Sequence, residues 1–313
     1  MDLKQIEYII RIAETESITK ASNELFITQS ALNQQLLKLE KELGVKLFYR
    51  HKHNMVPTPA GSVYLKYGRH MLQEKREAYS IINDMSQNNR GELVLTFSRE
   101  RGIDMLVSTY PNFHTRFPGF TLKPYEMFVY DQLNQISQGY VDLGLVTVNA
   151  KDKIPELEFE HLRTEPMLLA ISRKDPLTVN AAPAGCPLDN LPYMDLSLLQ
   201  DHPFVLLHIR STMRSTINTI LKQADFQPLI LFESSSIRAL LTMVRNNIAC
   251  TIVSAGYYKY QDKIAYYRIP GDPTWEMCIT YKKGSYLNKA ALYYKELIRD
   301  YFTNKSPLLV RTK

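Results

Sequence analysis

Residues 17–50 read SITKASNELFITQSALNQQLLKLEKELGVKLFYR, and the reading of this stretch decides the N-terminal fold. Leu32, Leu36, Leu39 and Leu43 recur at helical spacing, so they share one side of an α-helix and predict burial there. The opposite side carries Ser30, Asn33, Gln34, Lys38 and Lys41. Amides near the start of a helix can bond base edges in pairs, and ammonium groups further along can neutralise phosphates. Thr28 is placed to cap this helix and Gly44 to close it. Upstream, Ser17 suits the cap of a shorter helix containing Ala21 and Leu25, with Phe26 and Ile27 in the turn between them. That is helix-turn-helix spacing. A first helix from Leu3 to Ala13, with Leu3, Ile6, Ile9, Ile10 and Ala13 inward, would complete a three-helix core. Periodicity alone fits equally well a helical bundle with a polar exposed face.

From Met1 to about Gly61 the chain resembles the winged helix-turn-helix of LysR-type transcriptional regulators. The resemblance is carried by Leu3, SITKAS at 17–22, TQSALNQQL at 28–36, LEKELG at 39–44, KLF at 46–48, Arg50 and TPAG at 58–61. It implies that Gln29, Ser30, Asn33, Gln34, Lys38, Arg50 and Lys52 face DNA. Helical geometry puts Gln29 near the leucine side, so its assignment rests on the resemblance alone. The chain departs from the family where Ser30 replaces a frequent proline, Asn33 a usual serine and Gln34 a common arginine. Glutamine pairs best with adenine, so an A·T-rich operator is expected at the contacted step.

Beyond this helix, KLFYR and HKHNMV, ended by PTP, read as a two-stranded wing with His51, Lys52 and His53 at its tip. His51 and His53 lack a third ligand for a metal. Thr58 and Pro59 open a long helix. Tyr64, Met71, Ala78 and Met85 stand seven apart, with Tyr67 and Ile81 at the second seam position, interrupted by Glu74, which predicts pairing with another helix. In the resembled family this linker dimerises the DNA-binding domains; packing on its own chain is the alternative. The expected divisions are a winged helix-turn-helix over 1–58, a linker helix over 59–87 and a hinge over 88–91.

At 313 residues the chain is too long for one ordinary core. Its 45% hydrophobic and 22% charged residues are those of a soluble globular protein. A net charge of +6 suits a polyanionic partner without requiring one. No apolar run reaches membrane-spanning length and the start lacks a signal-peptide pattern, so no membrane partner and a cytoplasmic location are expected. Cys186, Cys250 and Cys278 are scattered without CxxC spacing, which suits a reducing compartment. Cys250 and Cys278, in apolar runs, read as buried thiols and Cys186 as a loop residue. No cofactor or metal is expected.

From Glu92 onward strands alternate with helices, which predicts an α/β domain with a mostly parallel, covered sheet. This half resembles the effector-binding domain of the same family, which is similar to a two-lobed periplasmic binding protein. YVDLGLV at 140–146 and the block from Phe204 to Ser254 carry the likeness. The resemblance implies lobe I over 92–163 plus 270–303, lobe II over 164–269 and a basic tail over 304–313. The fold class is thus multidomain: a winged helix-turn-helix, a long linker helix and a two-lobed α/β effector domain. Open α/β sheets bind ligands at the carboxyl ends of their strands. By family position Ser98, Arg99, Phe128, Thr147, Ser211 and Thr212 line that cleft. Free amides at a helix start favour an anion, and Arg99, Arg101, Arg210 and Arg214 flank these points as a candidate charge-assisted fork. Tyr125, Phe128 and Tyr130 fit either an aromatic ligand or core packing.

No GxSxG elbow, Gly-rich phosphate loop or HExxH occurs, which argues against an enzyme. The expectation is a sequence-specific regulator of double-stranded promoter DNA, controlled by a small effector, an organic anion. It would act as a homodimer or homotetramer, with RNA polymerase a further candidate partner. A soluble small-molecule-binding protein without a DNA role, and after it a hydrolase, are the alternatives.

Overall fold

The computed structural model describes residues 2–51, 54–86, 90–99, 101–258 and 262–304. The chain divides into two compact units, residues 1–88 with 138–140, and the remainder.

The first unit contains α1 (Leu3–Thr15), α2 (Ile18–Glu24), α3 (Gln29–Leu43), β1 (Phe48–Arg50), β2 (Met55–Pro57) and α4 (Pro59–Met85). Ile6, Ile9, Ile10 and Ile12 of α1 close on Ala21, Leu32, Leu36, Leu39, Leu47 and Leu65, all buried. Two expected core residues are exposed, Leu3 at the first position of α1 and Leu43 in the last turn of α3, at 43%. Leu43 is released because α3 ends at once, with Gly44 in the left-handed region at φ 70°. The core there is closed instead by buried Glu40, whose Oε1 accepts the Leu47 N–H at 2.8 Å and the Phe48 N–H at 3.4 Å. The turn between α2 and α3 is a helix-ending motif with Phe26 left-handed at φ 54°. Its N–H bonds Asn23 O, and the Ile27 N–H bonds Ser22 O, which satisfies the last carbonyls of α2.

Strands β1 and β2 form the antiparallel wing, with Arg50 opposite Met55; Lys52 and His53 of its tip lie outside the described residues. α4 begins as its sequence dictates, with the Thr58 hydroxyl accepting the Gly61 N–H at 3.0 Å and Pro59 in the first turn. A side chain at Gly61 would collide with the Leu47 carbonyl oxygen, so only glycine lets α4 approach. Of the expected hinge, Asn88 and Asn89 lie outside the described residues, while Arg90 and Gly91 are the first residues of a strand rather than hinge.

The second unit runs β3 (Arg90–Phe97), α5 (Arg101–Arg116), β4 (Gly119–Glu126), α6 (Val129–Ser137), β5 (Leu143–Val148), β6 (Leu157–Ser172), β7 (Pro203–Leu207) and α7 (Thr212–Gln223). It continues with β8 (Leu229–Ser234), α8 (Ile237–Arg245), β9 (Thr251–Ser254), β10 (Ile264–Arg268), β11 (Thr274–Lys282) and α9 (Lys289–Asn304). The main sheet has the order β10-β6-β11-β5-β3-β4, with β9 also on β6, and β7 pairs β8 separately.

The expectation of a mostly parallel sheet is corrected. Among the paired strands described, β3 with β4 and β5, and β7 with β8, are parallel, whereas every pairing of β6 and β11 is antiparallel. Helical crossovers impose parallel pairing inside each βαβ unit, but the long strands that leave one lobe and return to it run side by side in opposite senses. Two cores result. One gathers Leu93, Leu95, Phe113, Leu143, Ile279 and Tyr294, and the other Met167, Leu169, Phe204, Ile217, Leu240 and Ile252. Along β11 the core changes between Trp275 and Met277, beyond the turn at Gly271. Among the described residues no helix is long and apolar enough to cross a membrane.

Candidate DNA-reading face and ligand cleft

On α3, Gln29, Ser30, Gln34 and Lys38 are exposed and Asn33 is half-buried. The Thr28 hydroxyl accepts the Ala31 N–H at 3.2 Å and lies 3.2 Å from the Ser30 hydroxyl. The cap thus uses one of the helix's own free amides, and the outward chemistry of α3 is that of its side chains. Arg50, reaching back from the wing, donates through Nη2 to Asn33 Oδ1 at 3.0 Å. That bond leaves the Asn33 amide nitrogen as a donor and holds a guanidinium beside it. Spacing did not reveal this pair, because the wing's return is set by tertiary structure.

Along α4, Leu65 and Gly68 are buried and Leu72 half-buried, packed toward the N-terminal core. Tyr64 joins them at the edge of that core, where burial pushes its hydroxyl up to about 12. The expected seam residues Tyr67, Met71, Ala78 and Met85 are exposed, and Ile81 is half-buried. The structure adds two apolar residues that the heptad reading omitted, Val63 and Ile82, at 59% and 58% exposure.

In the second unit, Ser98 and Arg99 follow β3, Phe128 follows β4, Thr147 lies in β5, and Ser211 and Thr212 open α7. All six line one cleft of about 400 Å³. Helix α7 points its start into this space, and the Ser211 side chain makes no capping bond. The Ser98 Oγ accepts from Gln132 Nε2 at 3.2 Å, so its own hydrogen is free to be donated elsewhere. Gln132 is fully buried and also donates to Met127 O at 3.1 Å. Sequence reading missed it because a glutamine inside an amphipathic helix carries no sign of its partner.

The arginine fork expected here is corrected, because each guanidinium already has a carboxylate. Arg99 pairs with Glu126. Arg210 holds both oxygens of Asp131, at 2.9 and 2.7 Å, and stacks 4.8 Å from the Phe128 ring. Arg214 is buried against Leu207 O at 2.7 Å and Glu233 at 2.6 Å. Arg101 makes two bonds of 2.8 Å to Glu165, a buried carboxylate that also accepts from Arg163, Ser254 and, at 3.3 Å, Trp275 Nε1. Burial alone would raise the Glu165 pKa, but the Arg101 and Arg163 charges and these bonds hold it down at about 2.

None of the three cysteines lines the cleft. Burial pushes Cys250 up to about 12 and Cys278 up to about 11, which keeps them protonated, and Cys186 is half-buried. Among the described residues no group of His, Cys, Asp and Glu is arranged to hold a metal ion.

Comparison with known proteins gives this architecture its class. Residues 3–62 match the model for the bacterial regulatory helix-turn-helix protein, lysR family, and residues 86–303 match the LysR substrate binding domain. The chain belongs to the LysR family of bacterial helix-turn-helix transcriptional regulators. It is similar to the uncharacterized regulator YcgK of Bacillus subtilis, at 25% identity over 96% of this chain and 94% of that one. It is also similar to AlsR of Bacillus subtilis, at 24% identity over 83% and 82%. Among solved structures, a full-length OxyR variant from Pseudomonas aeruginosa shares the fold, with TM-score 0.68 and 19% identity over 96% of this chain and 97% of that one. CbnR complexed with its target DNA has TM-score 0.58 and 20% identity over 96% and 99%. The chain is therefore a small-molecule-responsive, sequence-specific DNA-binding regulator.

Proposed function

We propose that this regulator reads promoter DNA through Gln29, Ser30, Asn33, Gln34 and Lys38 of α3, with Arg50 and Lys52 of the wing on the flanking phosphates. It acts in the cytoplasm as a homodimer paired along α4, or as a tetramer built from such dimers. The exposed apolar residues Val63, Tyr67, Met71, Ala78, Ile82 and Met85, interrupted by Glu74 and Lys75, support that pairing, since apolar surface along one side of a helix in water favours a partner. The CbnR complex, a fold relative bound to its target DNA, supports the same use of the helix-turn-helix here.

The effector of this reading is a small organic anion bound in the cleft. The single observation that carries it is the convergence of Ser98, Thr147, Ser211 and Thr212, distant in sequence, on one cavity faced by the uncapped start of α7. Hydroxyls and helix-start amides hold an anion without a guanidinium. Binding would favour one relative arrangement of the lobes and so bias how the paired DNA-binding domains sit on the operator. A thermal-shift screen of the full chain tests this, since a ligand selective for the folded state raises the melting temperature. Small carboxylates should stabilise the wild type and do so far less in Ser211→Ala. Stabilisation by neutral compounds alone, undiminished in Ser211→Ala, would contradict an anionic effector.

A further inference from the structure

We propose that Asn33, oriented by Arg50, reads a guanine, so that the operator carries a G·C pair beside the step contacted by Gln34. This rests on the proposed function, in which α3 meets base edges. The observation that carries it is a hydrogen bond between two elements distant in sequence. Arg50 stands on β1, where its backbone pairs with Met55, and its Nη2 reaches α3 to donate to Asn33 Oδ1 at 3.0 Å. A guanidinium has donors and no acceptor, so the Asn33 carboxamide must turn its oxygen to the wing and present its NH2 elsewhere. Among the described residues no carboxylate is paired with Arg50, in contrast to the arginines around the cleft. Its charge is therefore unspent, and it lies against the carboxamide oxygen.

That arrangement inverts the usual preference of asparagine. A free carboxamide pairs with adenine by accepting from the N6 amino group and donating to N7. Here the oxygen is already bonded, and an adenine or cytosine amino group brought to it would face a guanidinium, donor against donor. Guanine shows only the acceptors N7 and O6 in the major groove. The Asn33 NH2 can donate to both, and the positive charge of Arg50 behind it strengthens those bonds. Thymine offers the single acceptor O4, a poorer match. Arg50 is thus a positioning residue, and its other N–H groups stay open to a neighbouring phosphate.

The full chain, Asn33→Ala and Arg50→Ala are each incubated with a randomised duplex library, and the bound DNA is sequenced. Affinities are then measured by fluorescence anisotropy for the selected site and its single-base variants. The wild type should prefer guanine over adenine by about tenfold or more at one position, and Asn33→Ala should abolish that preference while the neighbouring positions keep theirs. Arg50→Ala should weaken binding to every duplex. At the same position it should also lower the guanine-to-adenine ratio by about tenfold or more, because the released carboxamide regains the adenine pattern. A uniform loss that leaves this ratio unchanged would make Arg50 a phosphate contact alone and overturn the proposal. Preference for any base other than guanine at the Asn33-dependent position, or no position that depends on Asn33, would also overturn it and leave DNA reading by α3 standing. No enriched sequence in the wild type would overturn the proposed function itself and this inference with it.

Discussion

The two polar surfaces of this protein use the same residue types in opposite ways. At the start of α3 the Thr28 hydroxyl bonds the helix's own Ala31 amide, whereas at the start of α7 Ser211 leaves its helix uncapped. On α3 the amides and ammonium groups stand outward in water, while around the cleft every arginine in reach is tied to a carboxylate. Under the proposed function, the difference follows from the partners. DNA brings a dense row of negative charge and edges that side chains must read, so the protein keeps donors exposed. A small effector must be enclosed, so the charges around it are held by partners and only a few donors remain unspent.

The largest effect should come from breaking the inward-facing charges. Glu165→Ala leaves Arg101 and Arg163 without their buried counter-charge and should cost about 3–5 kcal/mol in denaturant unfolding of the second unit. The wild-type pair also predicts an acid response. Because the folded Glu165 pKa is depressed to about 2 from an ordinary 4.5, its contribution is fully present above that ordinary value and is lost as pH falls through 4.5 toward 2. The variant should lose that part of the acid slope; an unchanged slope would make the cluster an idle one.

Disrupting the exposed stripe of α4 should act next most strongly, and on the DNA side alone. Met71→Asp with Ile82→Asp puts unpaired charge into the proposed seam. Light scattering should then find a smaller species, and affinity for a two-half-site operator should fall by about tenfold or more, since each half-site would bind separately. The same mass and the same affinity would remove α4 from the interface.

The smallest effect sharpens the contrast between the two helix starts. Thr28→Ala should destabilise the DNA-binding unit by about 1 kcal/mol, the usual loss of a helix cap. Ser211→Ala should change unfolding of the second unit by less than about 0.5 kcal/mol, because its hydroxyl caps nothing. Equal losses would mean that Ser211 is an ordinary structural serine.

What could be read from the sequence depended on whether contacts were local. The helix-turn-helix was legible because its leucine spacing, caps and turn all lie within one stretch, and the resemblance covered that stretch densely. Leu43 was misplaced because periodicity cannot say where a core stops, and here Glu40 closes it through backbone bonds. The first half of β6, EFEHLRTE, hid its strand under alternating charges whose partners, Lys295 for Glu160 and Arg101 for Glu165, are remote. The sense of β6 and β11 was hidden for a related reason, since strand direction belongs to the crossover and not to any residue in the strand. The cleft positions were reached through family resemblance, while Gln132, Trp275 and the carboxylates on each arginine are set by tertiary packing.

The most direct test of the central claim, that α3 reads sequence through exposed side chains, is a binding titration of the full chain against the DNA flanking its own gene and a shuffled duplex of the same composition. The wild type should prefer the flanking DNA. Gln34→Ala should lose about 1–3 kcal/mol on that DNA and almost nothing on the shuffled duplex, with the salt dependence unchanged. Equal loss on the two duplexes, or no preference in the wild type, would contradict the account.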